Sequence, residues 1–149
     1  MPNPSFVGRA VPAPEPYQVG REKIREFARA IGETGPMCHD VAAARAAGHP
    51  DLVAPPTFAA TVTMPVMEGL LRDPDFGWDY LRMVHGGQTF VAHRPIYAGD
   101  ELSVVVHVDD LSTRAGSHFL TLRCEVTDQA GDPVLTTTSL LVTAAEAAA

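Results

Sequence analysis

Pro55-Pro56-Thr57-Phe58-Ala59-Ala60-Thr61-Val62-Thr63-Met64-Pro65-Val66-Met67-Glu68-Gly69-Leu70-Leu71 is the stretch on which the fold turns. Before Glu68 it carries no charge, and Phe58, Val62, Val66, Met67, Leu70 and Leu71 recur at helical spacing among alanines and threonines. A helix this apolar on nearly all sides belongs inside a protein. The Pro-Pro-Thr step is its start, which places the helix at about residues 57–71. Pro65 removes one internal hydrogen bond and is expected to kink the helix or end its regular part.

The residues C-terminal to the helix supply a surface for it to pack against. Asp73 to Gly77 has the composition of a loop, and after about Tyr80 the apolar period changes from helical to two. A strand is expected over residues 88–95, then a turn at Tyr97-Ala98-Gly99-Asp100. Leu102, Val104, Val106 and Val108 share one face of the next strand, and Leu120, Leu122, Cys124 and Val126 share one face of the strand after it. Turns are expected at 112–117 and 129–133, and a Thr-rich strand over 134–143 closes the series. Strands joined by tight turns form an antiparallel meander, so the fold class is α+β, with the apolar helix covering one face of the sheet. Such a single layer leaves edges and one face partly bare, which predicts dimerisation.

Working back toward the N-terminus, Ile24, Phe27, Ala28 and Ile31 form the apolar stripe of an amphipathic helix over residues 21–31, stopped by Gly32. Asp40 is placed to cap a short Ala-rich helix over 41–47, closed by Gly48. The first sixteen residues hold five prolines and are expected to form an extended arm, with a brief strand at residues 17–19. The whole of 1–149 is expected to be one domain, with 144–149 as a frayed Ala-rich tail.

At 149 residues the chain can bury about 68–70% of its unfolded surface, so no metal or disulfide is needed for stability. Eighteen acidic against eleven basic side chains give a net charge of −7, which disfavours nucleic acid and anionic membrane surfaces as partners. No apolar run approaches the ~18 residues that span a bilayer, and Met-Pro-Asn-Pro lacks the regions of a signal peptide. A cytoplasmic protein is expected. Cys38 and Cys124 are too few for a disulfide scaffold and are expected to be free thiols.

Two polar clusters stand out. Glu33 and His39 lie six residues apart in the turn between the first two helices. A carboxylate and an imidazole over one small volume can hold a water, remove a proton next to a carbonyl and protonate a leaving hydroxyl, which is hydration or dehydration chemistry. The same two residues also suit an ordinary polar loop. The second cluster is His85-Gly86-Gly87-Gln88, where a glycine pair lets backbone amides approach a ligand carbonyl, or forms a turn or bulge entering a strand. The remaining histidines lack partners at metal-site spacing, and no nucleotide-binding glycine motif occurs, so neither metal nor cofactor is expected.

Phe6-Val7-Gly8, Val19-Gly20-Arg21-Glu22-Lys23-Ile24-Arg25-Glu26-Phe27-Ala28, Gly48-His49-Pro50-Asp51, Ala54-Pro55-Pro56-Thr57-Phe58, Val84-His85-Gly86 with Gln88, and Arg94-Pro95 with Ala98-Gly99-Asp100 together resemble the actinobacterial proteins of the MaoC-like dehydratase N-terminal family. That family includes the mycobacterial (3R)-hydroxyacyl-ACP dehydratase subunits of long-chain fatty acid elongation. The resemblance implies a hotdog fold, a long antiparallel sheet wrapped around one central helix, two units pairing into a continuous sheet. It also implies a substrate, an acyl chain on a CoA or acyl carrier protein thioester, and a reaction, reversible loss of water from a (3R)-3-hydroxyacyl thioester. It suggests Cys38, Pro56, Thr57, Phe58, His85, Gly86, Gly87 and Gln88 as substrate-binding positions, beside Glu33 and His39 as catalytic candidates.

Catalytic members carry Gly-Asp-x-Asn-Pro-apolar-His, against which this chain has Gly32, Glu33, Thr34, Gly35, Pro36, Met37 and Cys38, with His39 one place late. One residue turns a side chain by about 100° on a helix, which puts the acid–base pair out of register. The resemblance therefore implies the subunit that lacks the dyad and helps hold the acyl chain beside a dyad-bearing hotdog partner. The alternatives are a homodimeric (R)-specific enoyl-CoA hydratase using Glu33 and His39, and a non-catalytic acyl-thioester binding protein. A thioesterase is less well matched, because the central helix carries no carboxylate before Glu68.

Overall fold

The computed structural model describes residues 1–145, and the 146–149 part of the expected tail lies outside them. Among the described residues the chain forms three α-helices, α1 (Arg21–Ala30), α2 (Val41–Ala46) and α3 (Ala59–Leu71), and six strands, β1 (Ala10–Pro12), β2 (Tyr17–Gln18), β3 (Val84–Ala92), β4 (Glu101–Arg114), β5 (Ser117–Thr127) and β6 (Pro133–Ala144). All strand pairings are antiparallel, in the order β1-β4-β5-β6-β3, with β2 also on β4. The inner face of this sheet presents Leu102, Val104, Val106 and Val108 from β4 and Leu120, Leu122, Cys124 and Val126 from β5, all buried. Against them pack Val62, Met67, Leu70 and Leu71 of α3. An antiparallel sheet wrapped around one central helix is the hotdog fold.

The central helix departs from expectation in two ways. Pro56–Phe58 is a separate 3₁₀ turn, and α3 then continues through Pro65 to Leu71. Pro65 does not end it, because Val62 and Thr63 before the proline and Met67, Leu70 and Leu71 after it are all anchored in the core. Nor is α3 buried all round: Met64 is half exposed and Pro65 and Gly69 are exposed, so the helix covers the sheet with one side only.

The strand expected over 88–95 is β3, which begins four residues earlier and ends before Pro95. Gly86 and Gly87 do not stop the strand. The register against β6 shifts between His85 and Gly87, so the extra residue is absorbed as a bulge. Pro95, which cannot donate to a ladder, lies past the strand's end. β3 pairs with β6 alone, and its outer edge has no neighbouring strand among the described residues. The turn expected over 112–117 contracts to Ala115-Gly116, both at positive φ (49° and 72°).

The Pro-rich first sixteen residues are not extended throughout. Pro4–Phe6 is a 3₁₀ turn that buries Phe6 against Phe76, ring centroids 4.8 Å apart. Ile31, placed by spacing in the apolar stripe of α1, is exposed instead, because the helix has already closed at Ala30 and Gly32 turns at φ 73°. Ala144 is the last residue of β6, paired with Ser117, not part of a frayed tail. Both cysteines are free and buried.

Candidate functional site

The loop between α1 and α2 is built from short-range bonds. Glu33 N–H donates to the Ala28 carbonyl at 2.8 Å, closing α1, and Pro36–Cys38 forms a single 3₁₀ turn. Asp40 Oδ1 accepts the Ala42 N–H at 2.8 Å, capping α2. The Met37 carbonyl accepts the Val53 N–H at 3.0 Å, which ties the loop to the segment entering α3.

Within this frame Glu33 and His39 are both turned inward on the loop itself. Glu33 Oε1 accepts the Gly35 N–H at 2.6 Å. His39 Nε2 lies 2.7 Å from the Glu33 backbone carbonyl, which can only accept, so the imidazole donates. The backbone carbonyl of His39 is in turn held by Arg25 Nε at 2.9 Å. A Cβ on residue 35 would stand 2.9 Å from Glu33 Oε1, so the longer carboxylate fills the space that a side chain at 35 would use. Cys38 is buried, and burial first, then the charge of Glu33, raises its thiol pKa.

The second cluster lies on the inner face of β3. The bulge at Gly86 brings His85 and Gln88 to one side, with His85 Nε2 2.9 Å from Gln88 Oε1. Ser139 of β6, buried and directly opposite Gln88, donates to the same oxygen at 2.6 Å. Gly86 fits where a Cβ would meet Val142 Cγ2 at 3.2 Å, and Gly87 follows it over Leu140. His85, Gly86, Gly87 and Gln88 are all exposed. No hydrogen bond joins this cluster to the Glu33–His39 loop among the described residues.

A cavity of about 450 Å³ opens beyond the far end of β3, lined by Val53, Pro55, Pro56, Ala92, Ile96 and Leu135 among others. Pro56 therefore faces open space, and Thr57 is exposed beside it. Phe58 is not available to a ligand: it is fully buried, edge-on to Phe27 at 5.5 Å and to Tyr17 at 6.5 Å, a core residue that locks α3 to α1. Ser139, Ala92, Ile96 and Leu135 carry no signal in the sequence that marks them for a site. Ser139 could be found only from the β3–β6 register, and that register hangs on the Gly86 bulge.

Among the described residues no group of three or more His, Cys, Asp or Glu side chains could hold a metal ion, and no helix is long and apolar enough to cross a membrane.

The antiparallel sheet wrapped around α3 defines a hotdog-fold protein. The family described as "FAS1-like, dehydratase domain region" matches residues 5–137. The chain is 54% identical over 138 residues to a UPF0336 protein of Saccharopolyspora erythraea, covering 93% of this chain and 88% of that protein. It is 48% identical over 145 residues to UPF0336 protein SCO4636 of Streptomyces coelicolor, covering 97% of each. Among solved structures, a MaoC-like dehydratase superposes with a TM-score of 0.87 at 35% identity, covering 95% of this chain, which spans 43% of that protein's length. A C-terminally truncated HadBC (3R-hydroxyacyl-ACP dehydratase) complex of Mycobacterium tuberculosis superposes with a TM-score of 0.83 at 31% identity, covering 92% of this chain and 96% of that one. The chain belongs to the actinobacterial MaoC-like hotdog dehydratase family.

Proposed function

We propose that this chain is the acyl-holding subunit of a (3R)-hydroxyacyl thioester dehydratase, acting on CoA or acyl carrier protein thioesters and completed by a hotdog partner that bears the acid–base dyad. The observation that carries this reading is the state of the α1–α2 loop. The Glu33 carboxylate is bound to the Gly35 N–H, the His39 Nε2–H to a backbone carbonyl, and Cys38, which the resemblance sets at the family's histidine position, is a buried thiol whose pKa burial raises. A dehydratase must take a proton from the carbon next to the thioester carbonyl and give one to the departing hydroxyl, which requires a base and an acid facing the substrate. Here both groups close their own loop.

The retained parts suit binding. The inner face of β3 is open, its outer edge is unpaired among the described residues, and the apolar cavity at Pro56, Ile96 and Leu135 continues from it. An unpaired edge of nine residues is a template for a second sheet edge. Val84 (61% exposed) and Val91 (57%) lie on that strand. The partnering of two hotdog chains in the HadBC complex is the precedent for a heterodimer, and a homodimer uses the same edge. Mixing the purified chain with candidate dyad-bearing hotdog subunits and recording native mass spectra and dehydration rates tests the reading. A 1:1 complex with a rate above that of either chain alone is expected. No complex and no change of rate with any candidate would overturn it.

A further inference from the structure

Gln88 has a carboxamide whose orientation is fixed from three sides. Its Oε1 accepts from Ser139 Oγ at 2.6 Å and faces His85 Nε2 at 2.9 Å, while its Nε2 donates to the Thr89 carbonyl at 3.2 Å. Turning the amide over would set Oε1 against the Thr89 carbonyl with no hydrogen between two acceptors, so the orientation is determined. One N–H of Nε2 is used by Thr89, and the second has no partner among the described residues. Gln88 is exposed, while Ser139, which holds it, is buried at 1%. A donor on an open face, braced from behind by a buried hydroxyl, loses little rotational freedom when it meets an acceptor.

Gln88, Phe90 and Ala92 share the inner face of β3, opposite Ser139, Thr137 and Leu135. Ala92 and Leu135 line the 450 Å³ apolar cavity. The four residue steps from Gln88 to Ala92 span about 13 Å, a path with a polar donor at one end and an apolar hollow at the other. That is the pattern of an acyl group, carbonyl at the first end and hydrocarbon at the second.

We infer that the Gln88 carboxamide, braced by Ser139 and His85, is the donor that holds the thioester carbonyl oxygen of the acyl chain, with the chain running along Phe90 into the cavity at Ala92 and Leu135. The inference rests on the acyl-thioester reading above and adds the residue that recognises the carbonyl and the direction of the chain. The Gly86 bulge is what makes it possible, since without the extra residue His85 and Gln88 would fall on opposite faces of the strand.

The test compares two ligands that differ only in that carbonyl, octanoyl-CoA and S-octyl-CoA, by titration calorimetry on the full chain, alone and with any dyad-bearing subunit that binds it. The wild type should prefer octanoyl-CoA by about tenfold, the scale of one hydrogen bond. Gln88→Glu keeps the acceptor for Ser139 and His85 but has no N–H, and its preference should fall to one or below. Gln88→Leu, checked for folding by its melting curve, should lose the preference as well. A wild type that binds both ligands equally, or a Gln88→Glu variant that keeps the tenfold preference, overturns the inference and leaves the acyl-thioester reading standing. Absence of binding to either ligand in every pairing overturns the reading, and this inference with it.

Discussion

At position 33 the carboxylate curls back to the Gly35 N–H at 2.6 Å, the same two-residue bond that Asp40 makes to the Ala42 N–H. Gly35 has no side chain to obstruct it, and His39 closes the ring of bonds by donating to the Glu33 carbonyl. Beside this loop, Asp51 fixes the far end of α2. It accepts Arg21 Nε and a second Arg21 nitrogen at 2.9 and 2.7 Å, with Arg45 at 3.5 Å. The Arg21 bond, chief among these causes, pulls the Asp51 pKa from 3.8 down to about 2. A depressed carboxylate pKa stabilises the fold above the unfolded value near 4, and that stabilisation is lost as pH falls toward 2. In acid titrations Asp51→Asn should therefore be less stable than wild type at pH 5–7, and the difference should shrink between about pH 4 and 2. A gap that stays constant across that range would show that the ion pair contributes nothing.

At the scale of elements, the turn between β4 and β5 carries a cost that can be relieved. Ala115 sits at φ 49°, a left-handed conformation that alanine adopts poorly, followed by Gly116 at φ 72°. Two-residue hairpin turns with both central residues at positive φ favour Asn-Gly, so Ala115→Asn should raise stability by about 0.5–1 kcal/mol, seen as a higher melting temperature. An unchanged or lower melting temperature would contradict this turn geometry. The faces of β4 and β5 are legible in the sequence because their alternation is strict and one side is wholly buried. The apolar α3 is legible for the same reason, and Asp40 announces α2 by its capping chemistry. Features set by pairing between distant strands are not legible in this way. The start of β3 is hidden because a glycine pair has the composition of a turn, and only the β6 partner makes it a bulge. Phe58 is offered as a ligand contact by the resemblance, but its ring is claimed by Phe27 and Tyr17, which are distant in sequence. Of the candidate site, the two clusters emerge from residue types alone, while their hydrogen-bond partners, Ser139 above all, require the fold.

For the whole molecule, the division of labour depends on where the sheet ends. The β4 edge of the sheet is covered by the short β1 and β2, whereas the nine-residue β3 has no neighbouring strand on its outer edge and is open on its inner face among the described residues. In the proposed heterodimer another hotdog unit would pair at this uncovered edge and would bring the base and acid by the same step. The central claim is that the Glu33–His39 loop maintains structure and does not perform acid–base chemistry. Its most direct test is hydration of crotonyl-CoA by the purified chain alone, monitored as loss of the enoyl absorbance, for the wild type and for His39→Ala. The account predicts no hydration above buffer for either protein; hydration by the wild type that disappears in His39→Ala would contradict it.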